Sequence, residues 1–246
     1  TAGEYEAFKS RNAKRYQELL WEQTLQRMEA ADPEGFAAMD LDAYRREWES
    51  NYPLGWNEHR QAWGVDGEYG QWVLSNGVVL KIDDTLFLHG GLSAKYCQSS
   101  LEELTDMVHD ALVNFDPQDP GILADELGPL WYRGLAMDNE QKRSEMVTAI
   151  LERYEAERIV VGHTPTGGVV WPRFDGRVIL NDTGIAAYYG AHNAFLEIRP
   201  DGLVARYADR SIPLPTANDD RIEYLRSVVA LDPANGLLQS RLQKML

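Results

Sequence analysis

Apolar residues recur at three- and four-residue steps along the first part of the chain. Tyr5, Phe8, Ala13, Tyr16, Leu19, Leu20, Leu25 and Met28 are separated by Lys, Arg, Glu and Gln, a spacing that predicts a helix over 4–31. Asp32-Pro33 should end it, because the residue before proline disfavours the α region. A second helix is expected over 41–50, broken by Asn51-Tyr52-Pro53-Leu54-Gly55. Residues 56–73 are rich in Trp and Gly and predict a helix around 56–63, a turn-rich stretch and another short helix.

From Val78 the period shortens. Val78–Ile82 and Thr85–Leu88 are apolar runs around Asp83-Asp84, the signature of a β-hairpin. Residues 99–114 return to helical spacing, with Ser99 or Ser100 as N-cap. Residues 139–155 read as a further helix. Strands are expected at Arg158–Val161, Gly168–Val170, Arg177–Leu180, Asn193–Ile198 and Leu203–Tyr207, followed by a linker at Pro213 and Pro215. The tail, 218–245, predicts two helices broken at Asp232-Pro233. The organisation is therefore a helical segment over 1–75, a mixed α/β core over 76–211 and a helical tail over 212–246.

Composition narrows the function classes. The 246 residues carry 24 Lys+Arg against 39 Asp+Glu, a net charge of −15. Such a surface repels nucleic acid at long range, which argues against nucleic acid as a partner. The apolar fraction of 44 % suffices for a sizeable core. No run approaches the roughly 18 apolar residues a membrane span requires. The lone Cys97 excludes an internal disulfide framework and a Cys-rich zinc site. No arginine follows it until Arg133, so a cysteine-phosphatase loop is excluded on spacing.

Three segments share one design: an apolar strand that ends in polar residues beside glycine. They are Leu86–Leu92 (LFLHGGL), Ile159–Pro165 (IVVGHTP) and Val178–Gly184 (VILNDTG). A histidine placed there has little bulk around it, so a metal or an anion can approach, and neutral imidazole is a good ligand for divalent transition metals. His89 and His163 are the candidates; the bland alternative is a pair of satisfied loop histidines. His59, His109 and His192 carry no such context. In Gly128–Gly134 (GPLWYRG), Arg133 offers a planar fork suited to phosphate oxygens, against the bland reading of a surface arginine beside a buried Trp131. Asn181-Asp182 suits a ligand or its supporting carboxylate, or simply a turn.

FLHGGL, GPLWYRG, VVGHTP and NDTG, in that order, resemble the second half of a calcineurin-like metallophosphoesterase. The closer resemblance is to the phosphoprotein-phosphatase superfamily and its bacterial, Shewanella-like branch, and it runs to about Tyr207. It implies an α/β (α+β) fold, a β-sandwich core flanked by helices, with two divalent metal ions (Mn, Fe or Zn) at strand ends. By the same resemblance His89 and His163 are metal ligands, Arg133 and Tyr188 (or Tyr189) bind substrate, and Asp182 supports the ligands. The implied reaction is hydrolysis of a phosphorylated substrate, of the Ser/Thr- or Tyr-phosphoprotein type, by a metal-bound hydroxide.

The resemblance is partial. The family's GDxHG, GDxxDRG and GNHE motifs do not occur in this chain. They supply the remaining ligands, the bridging aspartate and the general acid. Their absence implies that Thr1 lies inside a longer protein carrying the N-terminal half of the core. Two alternatives stay open: a dinucleoside-polyphosphate hydrolase or nucleotidase on the same scaffold, and a non-catalytic interaction module. A cytoplasmic and a periplasmic location fit equally.

Overall fold

Among the described residues before Asn76, the regular elements are all helices. The computed structural model describes residues 2–246, which divide into two compact units between Asn76 and Gly77. The first unit contains α1 (Ala2–Phe8), α2 (Ala13–Ala31), α3 (Pro33–Ala37), α4 (Leu41–Asn51), α5 (Trp56–Ala62) and α6 (Glu68–Leu74). The single helix expected over 4–31 is thus two. The break falls where Ser10 Oγ accepts from Asn12 N (3.0 Å) while Ser10 N and Oγ donate to Glu58 Oε1 (3.2 and 2.7 Å). Such side-chain bonds offer the backbone an alternative to the helix. Asp32-Pro33 ends α2 and also starts α3: the Asp32 carboxylate caps Gly35 N at 3.0 Å and Pro33 opens the first turn. Inside this unit Trp21 and Trp48 are buried, their rings 5.2 Å apart.

The second unit is built on two sheets. β1 (Val79–Ile82) and β2 (Thr85–Leu88) form the expected hairpin, turning at Asp83 with a positive φ of 52°. Then follow α7 (Leu101–Val113), α8 (Gly134–Met137), α9 (Glu140–Arg153), β3 (Arg158–Val161), β4 (Trp171–Arg173) and β5 (Val178–Leu180). These strands make one mixed sheet in the order β1-β2-β3-β5-β4, with β2–β3 and β3–β5 parallel. A second, antiparallel sheet has the order β6 (Ala194–Arg199), β7 (Gly202–Tyr207), β8 (Arg210–Pro213). The tail forms α10 (Arg221–Leu231) and α11 (Gly236–Met245). The class is mixed α/β.

Alternate residues of a strand face opposite sides, and the two faces of the mixed sheet differ. On one face Leu86, Leu88, Ile159, Val161, Val178 and Leu180 are all buried. On the other, the row Ile179, Val160, Phe87, Leu80 runs from fully buried at Ile179 to 48 % exposed at Leu80. The strand expected at 168–170 begins three residues later, because Gly167 and Gly168 take positive φ values of 72° and 104°. β8 lies where a linker was expected; Pro213 is tolerated because β8 is an edge strand. Tyr224, Leu225, Val228 and Leu238 of the tail are part of the second unit's core. Among the described residues no helix is long and apolar enough to cross a membrane.

Candidate functional site

Parallel pairing of β2 with β3 sets Leu88 opposite Val161, and β5 sets Leu180 opposite Val161. All three strands therefore release their polar ends at one edge of the sheet. Gly162 N donates to His89 O (2.8 Å) and Asn181 N to Val161 O (2.8 Å), carrying the pairing one step beyond the strands. His89 and His163, 74 residues apart in sequence, meet there: His89 Nε2 lies 3.0 Å from His163 Nδ1. A concavity of about 470 Å³ opens beside them, lined among others by Leu80, Phe87, His89, Val160, Gly162 and Asn181.

Glycines admit the segment that carries Arg133. Gly90 N donates to Pro129 O at 2.8 Å, and a Cβ on Gly90 would stand 2.8 Å from that oxygen. Upstream, Ser93 Oγ donates to Leu127 O (2.7 Å), and Asp125 accepts from Lys95, from Tyr96 OH (2.7 Å) and from Leu127 N (2.9 Å). These donors hold the Asp125 carboxyl down to about 2, Lys95 contributing most. Trp131 then stands edge-on to His163, ring centroids 5.1 Å apart, with Nε1 donating to Leu123 O (2.7 Å). It is 47 % exposed rather than buried; the buried aromatic beside Arg133 is Tyr132. Arg133 Nη1 donates to His163 O (2.8 Å) and Thr164 Oγ1 (3.1 Å). Neither Thr164 nor the Trp131 edge contact was expected from sequence, since both depend on residues about 30 positions away.

His163 is under local strain. Its φ is +59°, and Thr164 N donates to Gly162 O at 2.6 Å. A bond from residue i+2 back to i makes a three-residue γ-turn, and a positive φ at its centre marks the rare, strained hand. Backbone states of this kind cost of order 1–3 kcal/mol and gather at functional sites. Burial, then the charges of Arg133 and His89, push the His163 imidazole below the ordinary histidine range, and Asp182 opposes them. The neutral form of the ring is thereby favoured.

Asp182 is within electrostatic reach of His163, while its Oδ1 accepts from Gly184 N (3.2 Å) and its carbonyl accepts from Thr166 N (2.8 Å). Tyr188 is 89 % exposed, its ring against Tyr189, and it makes no hydrogen bond or ring contact with His89, His163 or Arg133. The structure therefore brings His89, His163 and Arg133 together with Asp182 within electrostatic reach of His163.

The spacing of the ring nitrogens bears on a metal; His163 Nε2, which is not the nitrogen facing His89, is separately buried without a hydrogen-bond partner among the described residues. The facing ring nitrogens are 3.0 Å apart, within hydrogen-bond distance of each other, and near the roughly 3.3 Å that two nitrogens about 2.0–2.1 Å from one tetrahedral cation would span. His89 and His163 thus fit as two ligands of one ion. Among the described residues no three His, Cys, Asp or Glu side chains gather at a point, so the remaining ligands of the expected two-metal set are not assembled from this chain.

With this geometry in place, comparison adds a relation. A cold-active protein tyrosine phosphatase, solved by crystallography, superposes with a TM-score of 0.54 and 28 % identity, over 61 % of this chain and 45 % of that one. Part of this chain is thus similar in structure to part of that phosphatase. A cold-active protein-tyrosine phosphatase from the psychrophile Shewanella gives 0.52 and 27 %, over 62 % and 47 % of the two chains. An uncharacterized protein of Schizosaccharomyces pombe is 33 % identical over 158 residues, 61 % of this chain and 47 % of its own. The chain therefore spans about half the length of the proteins it matches. No family model matches it.

Proposed function

We propose that the protein containing this chain is a metal-dependent phosphoprotein phosphatase, with phosphotyrosine as the first substrate to test. The observation that carries the reading is the 3.0 Å meeting of His89 and His163 beside Arg133. His89 Nε2 and His163 Nδ1 would hold one divalent ion, with carboxylate and further ligands from outside this chain. That ion would supply charge neutralisation for the phosphoryl oxygens and activate the attacking water. Arg133 spends Nη1 on the His163 turn, and its Nε and Nη2 carry no hydrogen bond among the described residues. Those two donors would meet phosphoryl oxygens, whose developing charge a guanidinium stabilises. Tyrosine is preferred as the leaving group because the solved proteins that match are named protein tyrosine phosphatases.

The test uses the natural full-length protein with p-nitrophenyl phosphate, a phosphotyrosine peptide and a phosphoserine peptide. Manganese-supported hydrolysis is expected, abolished by chelator and by His89→Ala. Absence of hydrolysis of all three substrates with manganese, iron and zinc would overturn the reading.

A further inference from the structure

We infer that Arg133 is a positioning residue for His163, clamping the strained turn that aims the imidazole at His89. A γ-turn bonds its third residue back to its first, so the carbonyl of the central residue takes no part in the turn's own hydrogen bond. In the second unit that carbonyl, His163 O, receives no backbone N–H among the described residues. Its donor is Arg133 Nη1, at 2.8 Å, and the same nitrogen reaches Thr164 Oγ1 at 3.1 Å. One guanidinium nitrogen therefore holds the carbonyl of the turn's central residue and the side chain of its third residue.

The clamp has a rigid base. Arg133 is the N-cap of α8, and its carbonyl accepts from Ala136 N (3.0 Å) and Met137 N (2.9 Å). The far end of α8 is held by Arg173, a buried residue, whose Nη1 donates to Leu135 O (2.6 Å) and whose Nη2 donates to Asp138 O. Glu140 in turn accepts from Arg173 Nε (3.2 Å). Buried Arg173, the short helix, Arg133 and the turn thus form one continuous chain of contacts ending at His163. The imidazole also packs against Trp131 in a T-shaped contact. Lysine is a poorer clamp, because its ammonium sits on a flexible stem and is not pre-organised as the planar guanidinium is.

This role is separate from any contact between Arg133 and a phosphoryl group, and only the manganese arm of its test rests on the phosphatase reading. The experiment compares the natural full-length protein with Arg133→Lys, Arg133→Met and the milder Thr164→Val, which keeps the bond to His163 O. Without metal, the Thr164 amide should exchange at least tenfold faster in both Arg133 variants. The imidazole nitrogen NMR signals of His89 and His163 should shift together. With manganese(II) alone, Kd should weaken about tenfold to a hundredfold, the span found for groups standing behind metal ligands. Thr164→Val should show a smaller loss of the same kind, and it carries the test if the Arg133 variants do not fold. Unchanged exchange, unchanged ring signals and unchanged manganese affinity would overturn the inference, even if hydrolysis fell. His89→Ala separates the two readings. If it binds manganese as tightly as wild type, the metal assignment fails, and the positioning role is then judged on exchange and ring signals alone.

Discussion

Gly90 and Asp125 show how single residues set the site. A methyl group on Gly90 would press on Pro129 O at 2.8 Å and Leu130 C at 2.9 Å, both backbone atoms that cannot swing away. Gly90→Ala should therefore cost about 1–3 kcal/mol, the usual cost of forcing an extra carbon into a packed interior, read as a lower denaturant midpoint. Asp125 is bonded in its charged form, so its carboxyl titrates near 2 instead of 3.8. A depressed carboxyl stabilises the fold above its unfolded value and loses that stability as the pH falls toward 2. Asp125→Asn should therefore lower Tm at pH 5, and the gap to wild type should close as the pH falls from 4 to 2. A gap of constant size across that range would show that the charge is not what Lys95 and Tyr96 recognise. His89 and His163 were legible in the sequence because each follows an apolar strand and adjoins glycine. The turn at His163 was not, because its clamp comes from Arg133, 30 residues earlier in the chain, and no local pattern encodes that bond.

Elements with a local signal are legible in the sequence, and those defined by distant neighbours are not. Ser100 caps α7 through a reciprocal box: Glu103 N donates to Ser100 Oγ (3.1 Å) and Ser100 N to Glu103 Oε2 (2.6 Å). Ser100→Ala should lower stability by about 1 kcal/mol, measured by chemical unfolding. Ser100→Asp should retain most of it. β1, β2 and β3 were equally visible as short apolar runs bounded by turn residues. β4 was displaced because Val169 and Val170 look like a strand, yet the positive-φ glycines before them delay pairing until Trp171. β8 escaped notice because Pro213 reads as a breaker, and only the pairing of β8 with β7 shows that its missing N–H faces no partner strand. The division of one long helix at Ser10 likewise depends on Glu58, 48 residues away.

At the scale of the whole molecule, β1 ends the mixed sheet with apolar side chains in water. Leu80 is 48 % exposed and Ile82 56 %. Natural sheets blunt such edges with charge, so Leu80→Lys with Ile82→Lys should raise soluble yield and reduce light scattering of the isolated chain on warming. Unchanged scattering would assign aggregation to another surface. The tail has the opposite character. Tyr224 OH of α10 donates to Val170 O (2.7 Å), lies 2.6 Å from Tyr207 OH of β7, and is buried with it; Tyr207 OH lies 3.2 Å from Val170 N. Two phenols thus serve both backbone polar atoms of one interior residue, Val170, and Asn235 Nδ2 adds a bond to Gly167 O at 2.9 Å. A protease cut between Leu214 and Asp220 would leave fragments that stay together through gel filtration and part only in denaturant. A premature stop codon in the same stretch would have a different outcome. It would strip the phenol from Val170 O and uncover Tyr207 during synthesis, giving a polypeptide that quality control removes.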